Sequence, residues 1–302
     1  MTKTGLIAPI GFEQELEVEL SMKKIDIIQK KGRVFVVGEC NVPVIWAQLR
    51  LQNLQVLDIA SIGDAGKKLK AMARLWTLVS VEHHRRAQLI QESLPFIKKK
   101  EIEFMAQLPA QSLAVWTLIE ENKILYSLET NVLYPIGEIE FKENKVDPPS
   151  RAYLKLWEFF TLNRITPKED DIVIDVGSCP GGWTWVLHEL NASIVHSVDK
   201  APLELDLKKY NRVQFKSESA FGLNPHDFPG LTWFFSDIIC YPPRLLTLVK
   251  KFMEVYPDLK FVCTIKYQKV TDWDTTNKFL EIPGSKIIHL HHNKHEVTWY
   301  KI

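Results

Sequence analysis

Apolar side chains recur every four residues at Phe12, Leu16 and Leu20, with Glu13, Glu15, Glu17 and Glu19 between them. That spacing predicts an amphipathic helix. Arg33-Val34-Phe35-Val36-Val37-Gly38 is β-branched and closed by glycine, which predicts a strand. Residues 42–51 read as helix and 56–62 as extended chain. The apolar runs 112–119 and 124–130 flank Glu120-Glu121-Asn122-Lys123, the pattern of a β-hairpin with a short polar loop. This alternation predicts a small α+β region.

The pattern changes after Pro148-Pro149, which can continue neither a helix nor a central strand. A domain boundary is therefore expected there, with an N-terminal region over 1–147 and a second domain over 148–302. The N-terminal region could itself divide into 1–62 and 63–147. In the second domain Ile172-Val173-Ile174-Asp175-Val176 is a nearly continuous apolar strand, followed by a glycine-rich turn, a helix over 183–190 and a strand over 194–199. Further strands are expected at 213–215, 231–236, 261–265, 286–290 and 297–300, with helices over 245–255 and 274–280. Strands alternating with helices predict an α/β fold, a mostly parallel, doubly wound, Rossmann-like sheet.

Composition narrows the class. Of 302 residues, 46% are hydrophobic and 25% charged, ordinary for a globular chain and unlike a disordered one. No apolar run is long enough for a membrane span, and the N-terminal apolar stretch is too short for a secretory signal. The expectation is a cytoplasmic protein without a membrane partner. Cys40, Cys179, Cys240 and Cys263 are scattered, signalling neither a disulfide framework nor a zinc site. Lys and Arg number 38 against 37 Asp and Glu, a formal charge of +1 that at first argues against a nucleic-acid partner. The balance is not uniform, however. Residues 61–100 hold Lys67, Lys68, Lys70, Arg74, Arg85, Arg86, Lys98, Lys99 and Lys100 against Asp64, Glu82 and Glu92. This cluster is either a solvated helix face or a contact surface for a phosphate backbone.

The turn Asp175-Val176-Gly177-Ser178-Cys179-Pro180-Gly181-Gly182-Trp183 lies at the carboxyl end of the first strand of the sheet, where such folds bind nucleotide-type cofactors. It fits neither the dinucleotide fingerprint nor a phosphate loop. Asp175 at the strand end suits a cationic or amine-bearing ligand, and Asp199 at the next strand tip suits ribose hydroxyls. Together the acids favour S-adenosylmethionine, a sulfonium that also carries an amino group.

The segment 175–184, Asp-Val-Gly-Ser-Cys-Pro-Gly-Gly-Trp-Thr, resembles motif I of the FtsJ-like RNA ribose 2′-O-methyltransferases. Ser150-Arg151-Ala152-Tyr153-Leu154-Lys155 is similar to that family's S-R-x-x-x-K segment, and His295-Glu296-Val297-Thr298 to its Lys-x-Glu-Val-Thr-type ending. Gly11-Phe12-Glu13-Gln14-Glu15-Leu16 resembles the opening of the N-terminal domain found in members acting on large-subunit ribosomal RNA. The resemblance implies a C-terminal methyltransferase domain preceded by a ferredoxin-like and THUMP-like RNA-binding region. It implies methylation of a ribose, that of a cytidine in large-subunit ribosomal RNA, with ribosomal RNA as partner. It implies Lys155, Asp237, Lys266 and Glu296 as catalytic residues. Cofactor contacts are expected from Asp175, Gly177, Ser178, Cys179, Pro180, Gly181, Gly182, Trp183, Asp199, Ser219 and Asp237. Ser219 stands where the family's third-strand acid is expected to meet the adenine amine. RNA contacts are expected from Arg151 and from Lys98, Lys99 and Lys100.

The chemistry is consistent with those residue types. A ribose hydroxyl is a very weak acid, and a lysine can take its proton only when that lysine is itself deprotonated. Lys266, ending an apolar strand, is the expected general base, and Lys155 the neighbouring cation that favours its deprotonation and orients the hydroxyl. Asp237 would steer the lysines and Glu296 would hold Lys155 or the ribose. No metal is required. His289, His291, His292 and His295 lack a carboxylate-rich shell, so they are expected to line the edge of the last hairpin, where they could meet phosphates. Two rivals remain at this stage: an RNA cytosine C5-methyltransferase with Cys240 as nucleophile, and an RNA-binding ribosome-assembly factor keeping a vestigial S-adenosylmethionine site.

Overall fold

The computed structural model describes residues 2–97, 100–109 and 112–302, and the chain forms two compact units, Met1–Glu140 and Phe141–Ile302. The first contains β1 (Thr4–Ile7), α1 (Glu13–Met22), β2 (Ile27–Lys31), β3 (Val34–Val37), β4 (Leu49–Gln52), β5 (Gln55–Asp58) and α2 (Ile62–Met72). It continues through β6 (Trp76–Leu78), α3 (His84–Ser93), β7 (Ala114–Glu120), β8 (Lys123–Ser127) and β9 (Glu129–Thr130). One sheet runs β2-β3-β1-β4-β9 and the other β5-β8-β7-β6. The division expected near residue 62 does not follow the sheets. β5 pairs with β8 in the second sheet, and β9 returns to β4 in the first. A single apolar cluster joins Ile7 and Val34 to Val115, Leu125 and Val132, so the core is continuous across both sheets.

Two local expectations are corrected. Residues 42–51 are not helical: they turn and then enter β4, where Leu49 and Leu51 are buried and alternate with Arg50 and Gln52. The turn is fixed from outside the segment. Glu19, fully buried on α1, accepts hydrogen bonds from the amides of Ile45 and Trp46, each at 2.8 Å. Residues 56–62 are extended only as far as Asp58. The Ser61 hydroxyl accepts from the Asp64 amide at 3.1 Å and caps α2, a local bond that favours helix over strand.

The second unit contains α4 (Tyr153–Asn163), β10 (Ile172–Val176), α5 (Gly182–Glu189), β11 (Ile194–Asp199), β12 (Val213–Ser217) and β13 (Leu231–Ser236). It ends with α6 (Pro242–Val255), β14 (Lys260–Lys266), α7 (Trp273–Leu280), β15 (Ser285–Ile288) and β16 (Glu296–Lys301). Its seven-stranded sheet runs β12-β11-β10-β13-β14-β16-β15. The first five are mutually parallel, while β16 runs antiparallel between β14 and β15. The chain departs from β10 to either side, to β11 and to β13, which makes its carboxyl end the switch point where ligands bind in open α/β sheets. Val173, Ile174, Phe234 and Phe235 are fully buried, as expected for strands covered on both faces.

The division between the units lies a few residues before Pro148-Pro149. Phe141 packs edge-on against Trp157 with ring centroids 5.7 Å apart, and the Tyr153 hydroxyl donates to the Asn144 carbonyl at 3.2 Å, so the charged stretch before the prolines belongs with α4. No described helix is long and apolar enough to cross a membrane.

Candidate active site

The glycine turn joins β10 to α5 and is held by bonds its own sequence supplies. The amides of Gly177 and Ser178 donate to the Val198 carbonyl at 2.9 and 3.3 Å. Gly177 has φ of +76°, and a Cβ there would lie 2.6 Å from Ile238, so only glycine fits. Asp199 turns both carboxylate oxygens on backbone, accepting from the Cys179 amide at 3.1 Å and the Ala201 amide at 3.0 Å. Its first task is therefore shaping the turn, which leaves its remaining lone pairs for a ligand.

The turn borders a cavity of about 600 Å³. Every residue expected to contact the cofactor lines it except Gly181, whose φ of +120° sets up the start of α5 instead. Asp175 is wholly buried. Its Oδ2 accepts from the Thr184 hydroxyl at 2.7 Å, while Oδ1 has no partner and neither does the buried Ser178 Oγ. Burial, with the Asp237 and Asp199 charges adding to it, pushes the Asp175 carboxyl up to about 7 against the opposing Thr184 hydrogen bond. An acid so placed lacks a cation.

A second cluster adjoins the cavity. Lys155 Nζ lies 2.9 and 3.1 Å from the two Asp237 oxygens and 2.6 Å from Glu296 Oε1. Lys266 Nζ approaches Asp237 Oδ1 at 3.2 Å and donates to the Asp237 carbonyl at 2.6 Å. Three elements converge here because of the strand register: β13 ends beside Asp237, and Lys266 on β14 stands directly opposite Glu296 on β16. Burial works against the Lys155 ammonium, but Asp237 and Glu296 outweigh it, and its pKa lies above the ordinary lysine value. Lys155 thus remains a cation. Lys266 and Asp237 line the cavity, whereas Lys155 and Glu296 do not.

Residues 148–264 match the family model described as FtsJ-like methyltransferase. This segment is similar to the FtsJ-like methyltransferases. The match includes Lys155 and Asp237 and stops just before Lys266; the structure alone brings Lys266 and Glu296 to them. Among curated proteins, Ribosomal RNA large subunit methyltransferase M of Shewanella sp. (strain W3-18-1) is 30% identical over 172 residues, 50% of this chain and 46% of that protein. Its counterpart in Pseudoalteromonas atlantica is 27% identical over 188 residues, 56% of this chain and 51% of that one. The chain spans about half the length of the curated relatives it matches. A solved rRNA methylase from Streptococcus thermophilus shares 13% identity over 45% of this chain and 88% of that chain, with a TM-score of 0.34.

The surroundings of Cys240 disfavour it as a nucleophile. The side chain is buried, which pushes the thiol up to about 11, so almost no thiolate is present at neutral pH. Two of the four histidines are occupied within the fold. Burial pushes His289 down to about 4, and His292 Nδ1 is engaged with Glu158 Oε2 at 2.7 Å. Among the described residues no group of three His, Cys, Asp or Glu could hold a metal ion. Arg151 is largely exposed and pairs with Glu143 at 2.6 Å. Lys100 is exposed, while Lys98 and Lys99 lie outside the described residues. In the rest of the basic cluster Lys68 is spent on Asp64 at 2.8 Å and Arg86 on the Glu121 carbonyl, whereas Lys67, Lys70, Arg74 and Arg85 are exposed.

Glu158, Phe221 and Arg244 escaped the sequence reading. Glu158 is buried one turn after Lys155 on α4, and its carboxylate accepts from the amides of His291 at 2.7 Å and His292 at 2.9 Å. The i, i+3 spacing of Lys155 and Glu158 was the available signal, since it sets both on one helix face. Arg244 lines the cavity with its guanidinium 3.9 Å from the Phe221 ring centre. Nothing in the sequence links those two.

Two outcomes follow from these contacts. Because the folded Asp175 titrates above its unfolded value of about 4, the ligand-free protein loses stability as pH rises from about 4 through 7, by at most about 4 kcal/mol. Asp175→Asn should therefore melt higher than wild type at pH 8, with the gap closing towards pH 4; equal melting curves at pH 8 would refute this. Glu158→Ala strands the amides of His291 and His292 and should cost roughly 2–4 kcal/mol in denaturant unfolding, with Glu158→Gln costing less.

Proposed function

We propose that this protein is an S-adenosylmethionine-dependent RNA ribose 2′-O-methyltransferase acting on a cytidine of large-subunit ribosomal RNA. The observation that carries the reading is the pair of lysines meeting on Asp237 at the cavity, one locked as a cation and one facing the space where substrate enters. The rRNA methyltransferase names of the relatives support the substrate class. A complete four-residue cluster speaks against a vestigial site.

The cavity fits the cofactor. Asp175 Oδ1 and Ser178 Oγ are buried polar atoms lacking a partner, suited to an ammonium group, and Gly177 leaves its backbone open to close approach. Phe221 and Ile238 offer apolar walls for a purine, beside Ser219. When bound, S-adenosylmethionine supplies an electrophilic methyl group on a positive sulfur. Asp175 meets the ligand's positive charge and Asp199 its ribose.

The protein's own part is alignment and proton removal. Lys266 reaches the cavity and takes the proton of the ribose hydroxyl. Lys155, held by Asp237 and Glu296, stays protonated, and with Asp237 it fixes where Lys266 can point. These groups are held in place before substrate arrives, which favours preorganisation over rearrangement during the reaction. Residues 1–147, with Lys98, Lys99 and Lys100, would grip structured RNA, and Arg151 would add a contact from the methyltransferase domain.

Lys266→Ala should lower the methylation rate by about 10²–10⁴ while leaving calorimetric S-adenosylmethionine binding and RNA affinity near wild type. The measurement is tritium transfer from the cofactor into alkali-resistant dinucleotides, which reports ribose methylation specifically. An undiminished rate would remove Lys266 as the base. Cys240→Ala should retain full activity; an inactive variant would restore the base-methylating alternative.

A further inference from the structure

We propose that the segment 238–241, on the rim of the cavity, is a stacking platform for a nucleobase of the RNA. Tyr241 and Ile239 supply its faces, and Arg244 and Lys269 the cations for adjoining phosphates. The proposal rests on the RNA-methyltransferase reading and adds where a base of the substrate is held.

The segment connects β13 to α6, and its side chains alternate between anchor and solvent. Ile238 is wedged against Gly177, at the place where any Cβ would come within 2.6 Å. Cys240 is buried. Between and after these anchors Ile239 is 82% exposed and Tyr241 is 59% exposed. The backbone is tied at both ends: the Ile238 amide donates to Ser236 Oγ at 3.4 Å, and the Tyr241 carbonyl accepts from the Arg244 amide at 3.0 Å. Pro242 and Pro243 follow at once and restrict it further. Two large apolar side chains are thus presented to water by a short, pinned loop.

Single exposed apolar residues are common and carry no message alone. Position separates these from the rest. Ile239 lines the same cavity as Asp237 and Lys266. The next loop, after β14, exposes Val270 at 75% together with Lys269. β13 and β14 are adjacent parallel strands, so both loops leave the same edge of the sheet beside the catalytic cluster. Asp237 is already engaged by two lysines; at the end of the second loop Asp272 is spent on capping α7, accepting from the Thr275 amide at 3.0 Å, and Asp274 lies in the first turn of that helix. Exposed Glu218 follows β12, across the switch point from β13 and β14.

Exposed apolar side chains that include an aromatic ring, on neighbouring loops carrying Lys269 and leading to Arg244, with Ile239 and Arg244 lining the cavity, match a single nucleic-acid strand. Bases stack on aromatic side chains whatever their sequence, while cations follow the backbone. Arg244 already has its guanidinium over Phe221, a planar cation held at the rim. A protein partner would need a broader contiguous apolar surface than three side chains provide.

The test measures the affinity of a fluorescently labelled oligocytidylate 12-mer for the full chain, with S-adenosylhomocysteine present, alongside ribose methylation of large-subunit rRNA. Tyr241→Ala should weaken oligonucleotide binding by between about 5-fold and 100-fold, the range for losing one stacked base. Tyr241→Phe, which keeps the ring, should stay within about 2-fold of wild type. Calorimetric cofactor binding without RNA should not change in either. Ile239→Ala should weaken binding in the same direction and serves if Tyr241→Ala does not fold. Oligonucleotide affinity equal to wild type in both alanine variants overturns the platform. Should wild type place its methyl group on a base while Tyr241→Ala still loses RNA affinity, the platform stands and the ribose reading falls.

Discussion

A lysine ammonium shared by two carboxylates organises the second unit of this molecule. An unpaired lysine taken out of water would tend to lose its proton; Lys155 keeps it because Asp237 and Glu296 flank it within 3.1 Å. Each partner comes from a different place in the fold: a helix, the end of a parallel strand, and the start of the antiparallel strand β16. Insertion of β16 beside β14 is therefore more than an edge decoration, since it is what sets Glu296 opposite Lys266. α4 then acts twice, through Lys155 on the cluster and through Glu158 on the turn that leads into β16. Moving the helix would disturb both ends of the same carboxylate support.

The neighbouring glycine turn follows the opposite electrostatic rule. Asp175 and Asp237 sit at the ends of adjacent strands β10 and β13, yet only Asp237 has cations. Asp175 is left with a hydroxyl for one oxygen and nothing for the other, and burial lifts its pKa accordingly. One acid is neutralised by the protein; the other awaits a positive ligand. The two sites therefore divide the work between cofactor and acceptor without competing for the same charge.

Much of this was legible in the chain because buried parallel strands write themselves as apolar runs. The strand expected at 231–236 is β13 as found, and those at 172–176 and 194–199 are β10 and β11. The expected helix of residues 12–20 is α1, and the expected hairpin is β7 with β8. α4 is hard to read as a helix because Leu154, Leu156, Trp157, Phe159 and Phe160 cover most of its circumference, leaving only a narrow polar strip at Lys155 and Glu158. Residues 42–51 misled for another reason: their conformation is decided by Glu19, more than a helix away in sequence. The residues proposed as catalytic could be named by motif order, but their contacts could not. Whether Glu296 reaches Lys155 depends on strand register, and composition is blind to that. Arg244 over Phe221 is likewise a product of α6 meeting the turn that follows β12.

The near-zero charge also changes meaning once burial is known. Among the described residues, Glu19, Glu158, Asp175 and Glu296 are buried, while no Lys or Arg is. These acids are turned inward to hold backbone amides, a lysine or a ligand. A polyanion meets the solvent-facing groups first, within roughly a Debye length of about 8–10 Å. That face is more basic than a total of +1 implies. Basic excess need not appear in the composition of an RNA-binding enzyme if part of its acid is spent on architecture. The same economy keeps long-range attraction modest, as the proposed RNA methyltransferase would need in order to release its product.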